Sequence, residues 1–421
     1  MTLNPPNVVN TTPPALTFDG LGISPILLQV LDRLHFKTPT PIQQKAILPA
    51  TEGKDLVGIA QTGTGKTLAF AIPMIQRLAQ KKGSRGLVLV PTRELASQVD
   101  ETFRKIGPSF NMQTAVIIGG ASMNEQIRNL RRQPSVIIAT PGRLLDHVSQ
   151  RTVSLHDIHI LVLDEADRML DMGFLPQIQK ILRTLPKERQ TMLFSATMPE
   201  AITGIAASHM KLPLNIEMAP SGTLAERLTQ EIFIVKKENK IALLGKLLGQ
   251  YRGSVLVFSR TKDGAHRITR DIRNMGHQSA EIHSDRSLAQ RREALLGFKT
   301  GRYRILVATD IAARGIDVTG IELVINFDLP EDAENYVHRI GRTGRAGHKG
   351  HAISFAMPDQ NTDVKSIERL IRSAIPISEH PEIPNERFSA PSRYSFSPRH
   401  SRHGGGSRGR SSSRRGGFGR R

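Results

Sequence analysis

At 421 residues the chain is too long for one ordinary core and suits two domains of about 150 to 200 residues each with a tail. Its 38% hydrophobic content includes no apolar run near the roughly 18 residues of a membrane span, which excludes a helical membrane protein, and zero cysteines exclude disulfides and thiolate metal sites. Lys and Arg outnumber Asp and Glu by 58 to 38, a net +20 that calls for a polyanionic partner.

Residues 1–14, rich in Pro, Asn and Thr, read as a flexible lead. They lack the basic region and apolar core of a secretory signal, so a cytoplasmic location is expected. Over 15–217 short β-branched runs (DLVGIA, GLVLV, TAVII, SVIIAT, HILVLD, TMLFSAT) alternate with helical patterns such as KTLAFAIPMIQRLAQ. This rhythm predicts an α/β domain with a parallel, largely buried sheet. A polar link, MAPSGT, opens the boundary at 218–224. Over 225–380 the rhythm restarts with EIFIV, SVLVFSR, SAEIH, RILVATD, ELVINF and HAISFA, interleaved with helical KDGAHRITRDIRNM and LAQRREALLGFK. The fold class is therefore α/β, two domains in tandem. The remainder, 381–421, is Ser, Gly and Arg and reads as disordered. From 387 on it carries ten Arg with no Lys and no acid, which favours an RNA tether over a merely solubilising tail.

AQTGTGKT, from Ala60 to Thr67, sits between a predicted strand and a predicted helix. The loop of Gln61, Thr62, Gly63, Thr64 and Gly65, mostly small residues, lets backbone N–H groups and a helix N-terminus face an anion. Lys66 can reach outer phosphates, and the Thr67 hydroxyl can ligate Mg²⁺. This is a P-loop, with Ala60 where the pattern has Gly. LVLDEADRML, from Leu161 to Leu170, places three carboxylates within four residues at the end of an apolar run. Such a cluster is costly without a cation, although acids capping a helix are a simpler reading. With a P-loop present, Mg²⁺ on a nucleoside triphosphate is the missing cation. Asp164 would hold it through water, and Glu165 would orient and deprotonate the attacking water.

DEAD, Asp164 to Asp167, with its surroundings LVLDEADRMLDMGF, resembles the DEAD-box family of ATP-dependent RNA helicases. PTRELA at Pro91 to Ala96, the Gly119–Gly120 pair, TPGR at Thr140 to Arg143, SAT at Ser195 to Thr197, VFSRTK at Val257 to Lys262, VATDIAARGIDV at Val307 to Val318 and YVHRIGRTGRAG at Tyr336 to Gly347 follow in the family's order. The length and the Arg/Gly-rich tail look like the bacterial RhlE-like subgroup. The resemblance implies two RecA-like domains, ATP and Mg²⁺ as cofactors, and single-stranded or short duplex RNA as sequence-nonspecific partner. It also implies a monomer, with partners from ribosome assembly or RNA decay.

HFKTPTPIQ resembles the family's adenine-reading motif, in which Gln43 would pair with the base, Phe36 stack on it and Phe18 match the upstream aromatic. His35 stands where the family usually has Gly, which is expected to alter the turn. By the same resemblance Arg342 and Arg345 are arginine fingers, Asp317 holds the ribose, and His338 and Arg339 tie the cleft to the first domain. RNA backbone contacts fall to Thr92, Arg93, Gly120, Thr140 and Arg143, and from the second domain to Thr261, Arg291 and Thr309. Asp167, Ser195 and Thr197 couple the nucleotide site to RNA. Leu288 departs from a Gln often found three residues before Arg291, leaving that contact open. A transport or partitioning ATPase shares Lys66 and Asp164 but leaves PTREL, SAT and HRIGRTGR unexplained. An ATP-closed RNA clamp or annealing chaperone is the non-enzymatic alternative.

Overall fold

Runs of Val, Ile and Leu with no polar face are stable as strands only when both sides of their sheet are covered, and this decides the architecture. The computed structural model describes residues 17–60, 63–81, 83–218, 228–310, 321–344 and 350–389. In the first lobe β1 (Leu56–Ile59), β2 (Arg85–Leu89), β3 (Thr114–Ile117), β4 (Val136–Ala139), β5 (Ile158–Asp164), β6 (Gln190–Ser195) and β7 (Leu214–Glu217) form one sheet in the order β3-β4-β2-β5-β6-β1-β7. Every described pairing is parallel. Alternate residues feed the two faces: Leu56, Val88, Ile160 and Val162 join one apolar cluster, while Val57, Leu87, Leu161 and Leu163 join the other.

The second lobe repeats the plan. Its strands are β8 (Leu228–Ile234), β9 (Val255–Phe258), β10 (Ser279–Ile282), β11 (Ile305–Ala308), β12 (Leu323–Asn326), β13 (Gly350–Ala356) and β14 (Ile377–Ser378), ordered β10-β11-β9-β12-β13-β8-β14. Again the pairings are parallel and both faces carry an apolar cluster. The predicted helices Lys66–Gln80 and Leu288–Lys299 form at those bounds, and a third runs Lys262–Asn274. The edge strands β7 and β14 escaped the sequence reading because they are short and mostly exposed, so they carry no apolar run.

Two expectations need correction. The first residues of the predicted tail are docked: Ile383 and Phe388 pack on the second lobe's clusters, Glu386 pairs with Lys236 at 2.9 Å, and Glu382 pairs with Lys246. These two apolar side chains, set in an otherwise polar segment, are enough to dock it. Residues 1–16, 219–227 and 390–421 lie outside the described residues, and with them most of the predicted lead, link and tail.

His35 does not alter the turn. It adopts φ 61° just past the helix Pro25–Arg33, donating its N–H to the Asp32 carbonyl while the Phe36 N–H donates to that of Leu31, each at 2.9 Å. This is a Schellman cap, and its two hydrogen bonds outweigh the roughly 1–2 kcal/mol cost of a non-glycine residue in the left-handed region. His35→Gly is therefore expected to stabilise the first lobe by up to about 1 kcal/mol, once glycine's greater unfolded-chain entropy is allowed for. Urea titration checks this; a destabilised variant would show that the imidazole makes a compensating contact.

Candidate nucleotide and nucleic-acid site

A parallel sheet presents all its carboxyl ends on one rim, where loops lead into helix N-termini. The strand order divides that rim. The segments after β1, β5 and β6 (the P-loop, DEAD and SAT) are neighbours on one side. Those after β3, β4 and β2 (Gly119–Gly120, TPGR and PTRELA) are neighbours on the other. The second lobe divides alike: Thr261, Arg291 and Thr309 follow β9, β10 and β11, whereas His338, Arg339 and Arg342 follow β12.

On the phosphate side, Gly63 and Gly65 take φ 87° and 88°, the left-handed turn that brings the backbone round to the helix Lys66–Gln80. Lys66 is buried, and its Nζ donates to the Ala60 carbonyl at 2.9 Å, across the mouth of the loop. Thr67 is the second residue of that helix. Gln43 accepts from the Thr40 N–H at 2.9 Å and donates to the Gly65 carbonyl at 3.0 Å, so the expected adenine reader also braces the loop. One donor and one acceptor position of its amide remain. At φ 88° Gly65 holds a conformation that L side chains rarely adopt, and a Cβ there would also meet the Gln43 amide. Phe36 is 41% exposed, as a base-stacking ring requires, whereas Phe18 is buried in the lobe's apolar cluster. Gln61, Thr62, Asp317 and Arg345 lie outside the described residues.

Asp164 ends β5 only 2% exposed, its carboxylate accepting from the Glu165 N–H at 3.0 Å. Burial pushes its carboxyl up to about 6, Lys66 pulls it down, and Glu165 adds to the rise. A buried carboxylate under that load fits a hard divalent cation. Mg²⁺ keeps several waters and takes further ligands from phosphates, so it needs few protein side chains. Thr67 and Asp164 are the residues that would hold it.

Glu165 sits at φ 53°, a left-handed conformation for a non-glycine residue, before the short helix Ala166–Asp171. Such strain costs of order 1–3 kcal/mol and persists only where surroundings hold it. Arg168 does the holding: 1% exposed, it donates to the Glu165 carboxylate at 2.7 Å. Its other terminal nitrogen lies 3.2 Å from Nδ1 of His338 in the second lobe. Burial, reinforced by Arg168, lowers His338 to about 4, so near neutral pH the imidazole is uncharged and Nδ1 accepts from Arg168. Arg168 was missed by sequence reasoning, though its spacing of three residues from Glu165 was the available signal. Arg342 is buried beside His338, with its Nε donating to the His338 carbonyl at 3.3 Å.

Asp167 turns from the nucleotide side to SAT. Its carboxylate accepts from the N–H of Ala196 and of Thr197 and from the Thr197 hydroxyl at 3.0, 2.9 and 3.2 Å, and its own N–H donates to the Ser195 hydroxyl at 3.1 Å. Helix Ala166–Asp171 and the end of β6 are thereby locked together.

Arg339 corrects the sequence expectation, because it does not reach the first lobe. Its guanidinium makes a two-pronged pair with Asp310 at 2.6 and 2.7 Å, donates to the Asn326 side chain and the Asp328 carbonyl, and lies over the Phe258 ring. It cross-braces the second lobe, where a buried planar fork finds its acceptors within its own lobe.

On the other half of the rim, Thr92 caps the helix Arg93–Ile106, accepting from Leu95 N–H at 3.2 Å, and Thr140 occupies the N-cap position of Pro141–Ser149 without a side-chain cap bond. Gly120, at φ 76°, lets the Arg93 guanidinium pass where a Cβ would collide with it. Arg143 donates to the Ala121 carbonyl at 3.0 Å, tying two of these segments together. Thr261 is an exposed N-cap of the helix Lys262–Asn274, accepting from Gly264 N–H at 3.0 Å, and the Thr309 N–H donates to the Ile282 carbonyl at 3.3 Å. These hydroxyls, amides and guanidinium groups suit backbone contacts without base reading. Arg291 is the exception: it is buried against Glu94 of the first lobe at 2.8 Å and makes an interlobe contact instead of standing open to a strand of nucleic acid.

Residues 40–205 match the DEAD/DEAH box helicase family and residues 239–347 the helicase conserved C-terminal domain. The DEAD-box ATP-dependent RNA helicase CshA of Bacillus cereus is 42% identical over 369 residues, 87% of this chain and 70% of that protein. Among solved structures, S. cerevisiae Dbp5 bound to RNA and ADP BeF3 superposes with a TM-score of 0.78 at 31% identity, covering 86% of this chain and 96% of that one. A DEAD box protein from the hyperthermophile Methanococcus jannaschii, 36% identical and covering 86% and 99% of the two chains, superposes at 0.51.

Proposed function

Because the chain belongs to the DEAD-box family of ATP-dependent RNA helicases, we propose that its two rims form one ATP site and one RNA path that are complete only when the lobes close. The observation that carries this reading is the Glu165–Arg168–His338 contact, in which the general-base candidate is oriented by a chain of side chains ending in the opposite lobe. The superposition over 86% of this chain on a relative bound to RNA and a nucleotide analogue supports this reading.

In this reading Gly63, Thr64, Gly65 and Lys66 cradle the phosphates of ATP, and Gln43 reads adenine with the amide positions left free by the chain. Mg²⁺, held by Thr67 and Asp164, neutralises phosphate charge when bound. Glu165 orients the attacking water and takes its proton; Arg342 and Arg345 stabilise charge on the transferred phosphoryl group. RNA lies along Thr92, Arg93, Gly120, Thr140 and Arg143 and on to Thr261 and Thr309. Asp167, Ser195 and Thr197 tie the acids of DEAD to the end of β6, and in this reading they couple closure on RNA to assembly of the ATP site. A duplex cannot follow a backbone path shaped for a single strand, and closing therefore separates a few base pairs; hydrolysis reopens the lobes. The intact Glu165 and Arg342 favour a turnover enzyme over a clamp whose output is binding. The Arg-rich tail supports an RhlE-like assignment and a tether for RNA.

Steady-state ATP hydrolysis tests the reading with no nucleic acid, with single-stranded RNA and with DNA of the same sequence. Strong stimulation by RNA alone is expected, since the path relies on backbone and 2′-OH contacts. Equal rates in all three conditions would defeat the proposed coupling.

A further inference from the structure

Leu288, Arg291 and Arg292 open the helix Leu288–Lys299 at i, i+3 and i+4, which places them on one face. That face meets the helix Arg93–Ile106 of the first lobe, the helix that begins at the RNA side of the rim. Arg291 lies 2.8 Å from Glu94, and Arg292 donates to the Ser97 hydroxyl at 3.3 Å. Further along, Lys299 adds to the pull of Lys105 that holds the Glu101 carboxyl below its usual range. Positions 94, 97 and 101 of one helix thus answer 291, 292 and 299 of the other along a seam, through an ion pair, a hydrogen bond and a longer-range attraction of opposite charges. Leu288 stands at its head, half-buried, and packs on the apolar cluster of the first lobe.

The ion pair alone is a poor source of closing energy. Glu94 and Arg291 are both buried, and burial raises the Glu94 carboxyl even though Arg291, Arg93 and Arg292 pull it down. Neither Glu94 oxygen nor the Arg291 Nε has an aligned hydrogen bond among the described residues. A desolvated, imperfectly aligned pair roughly cancels its own attraction, whereas apolar burial does not. The favourable part of the seam is Leu288.

We propose that Leu288 is a positioning residue for lobe closure, an apolar latch on the first lobe that lets this chain close with less help from RNA than a polar residue at the same place would allow. The proposal rests on the closure reading above. Its location also explains how Arg291 is placed: with Leu288 seated, the next turn of the helix carries the guanidinium onto Glu94, next to Arg93 on the RNA path.

The test compares the full chain with Leu288→Gln and Leu288→Met. The absence of native cysteines permits a dye pair at exposed Lys187→Cys and Lys365→Cys, one per lobe, to report closure. With an ATP analogue and a titration of single-stranded RNA, the Gln variant is expected to need about three- to tenfold more RNA for half-closure and for half-maximal ATPase. The rate at saturating RNA stays within about twofold of the parent, since an equal loss of binding in ground and transition states leaves kcat unchanged. Met restores the parent midpoint. An unshifted RNA midpoint overturns the proposal, as does a variant whose only change is a lower melting temperature or a lower saturated rate. If RNA fails to stimulate the parent enzyme, the function reading fails, yet the fluorescence titration still decides whether Leu288 favours the closed lobes.

Discussion

Replacing Glu165 by Gln lowers RNA-stimulated ATP turnover by about 10²- to 10⁴-fold, the range expected when a positioned general base is lost. Gln keeps the size of the side chain and can still accept from Arg168, now without the charge on its oxygen, but it cannot take a proton from water. Arg168 is 1% exposed and loses its charged partner at 2.7 Å, so some loss of thermal stability accompanies the change. For this reason single-turnover hydrolysis is read beside ATP-analogue-dependent RNA binding. Binding is expected to persist, because the P-loop, the RNA side of the rim and the Asp167–Thr197 link are untouched. A variant that still hydrolyses within tenfold of the parent would remove Glu165 from the role of base.

Replacing Arg342 by Lys should cost a comparable or larger factor, about 10³-fold or more in kcat, the scale on which an arginine delivered to a transferring phosphoryl group acts. Lys keeps the charge but not the planar fork, so the loss measures geometry. Arg342 is buried beside His338, whose Nδ1 contacts Arg168, and Arg168 holds Glu165. The finger and the base therefore belong to one connected group, and the Glu165→Gln, Arg342→Lys double variant should lose much less than the product of the two factors. Multiplicative losses in single-turnover assays would show that the two act independently. The KM for ATP should move little, since the first lobe's phosphate loop carries ground-state binding.

Much of the site was legible in the chain because it is written in neighbouring residues. A Gly-rich turn ahead of a helix and an acid at the mouth of an apolar strand each state their chemistry within a few positions. Thr92 and Thr261, assigned to RNA by resemblance, prove to be N-caps as well, a role the sequence reading did not give them. His35 shows the limit even of local reading. Its identity argued for a changed turn, but two backbone hydrogen bonds of a Schellman cap hold the glycine-like conformation.

What could not be read was partnership across distance. Arg168 looked like one more charge in an acidic stretch until the fold set it between Glu165 and a histidine 170 positions away. The resemblance gave Arg339 a tie to the first lobe and Arg291 a contact with RNA. Yet one braces its own lobe on Asp310, and the other crosses to Glu94.

By itself the sequence determined the parallel α/β rhythm, the P-loop, the acids of DEAD and the family to which they belong, since period, turn chemistry and motif spacing are properties of short stretches of backbone. Only the tertiary structure decided which buried charges neutralise each other and where the two lobes touch. A buried ion seeks whatever counter-charge or dipole the packed fold brings within about 3 Å, and that distance bears no relation to separation along the chain.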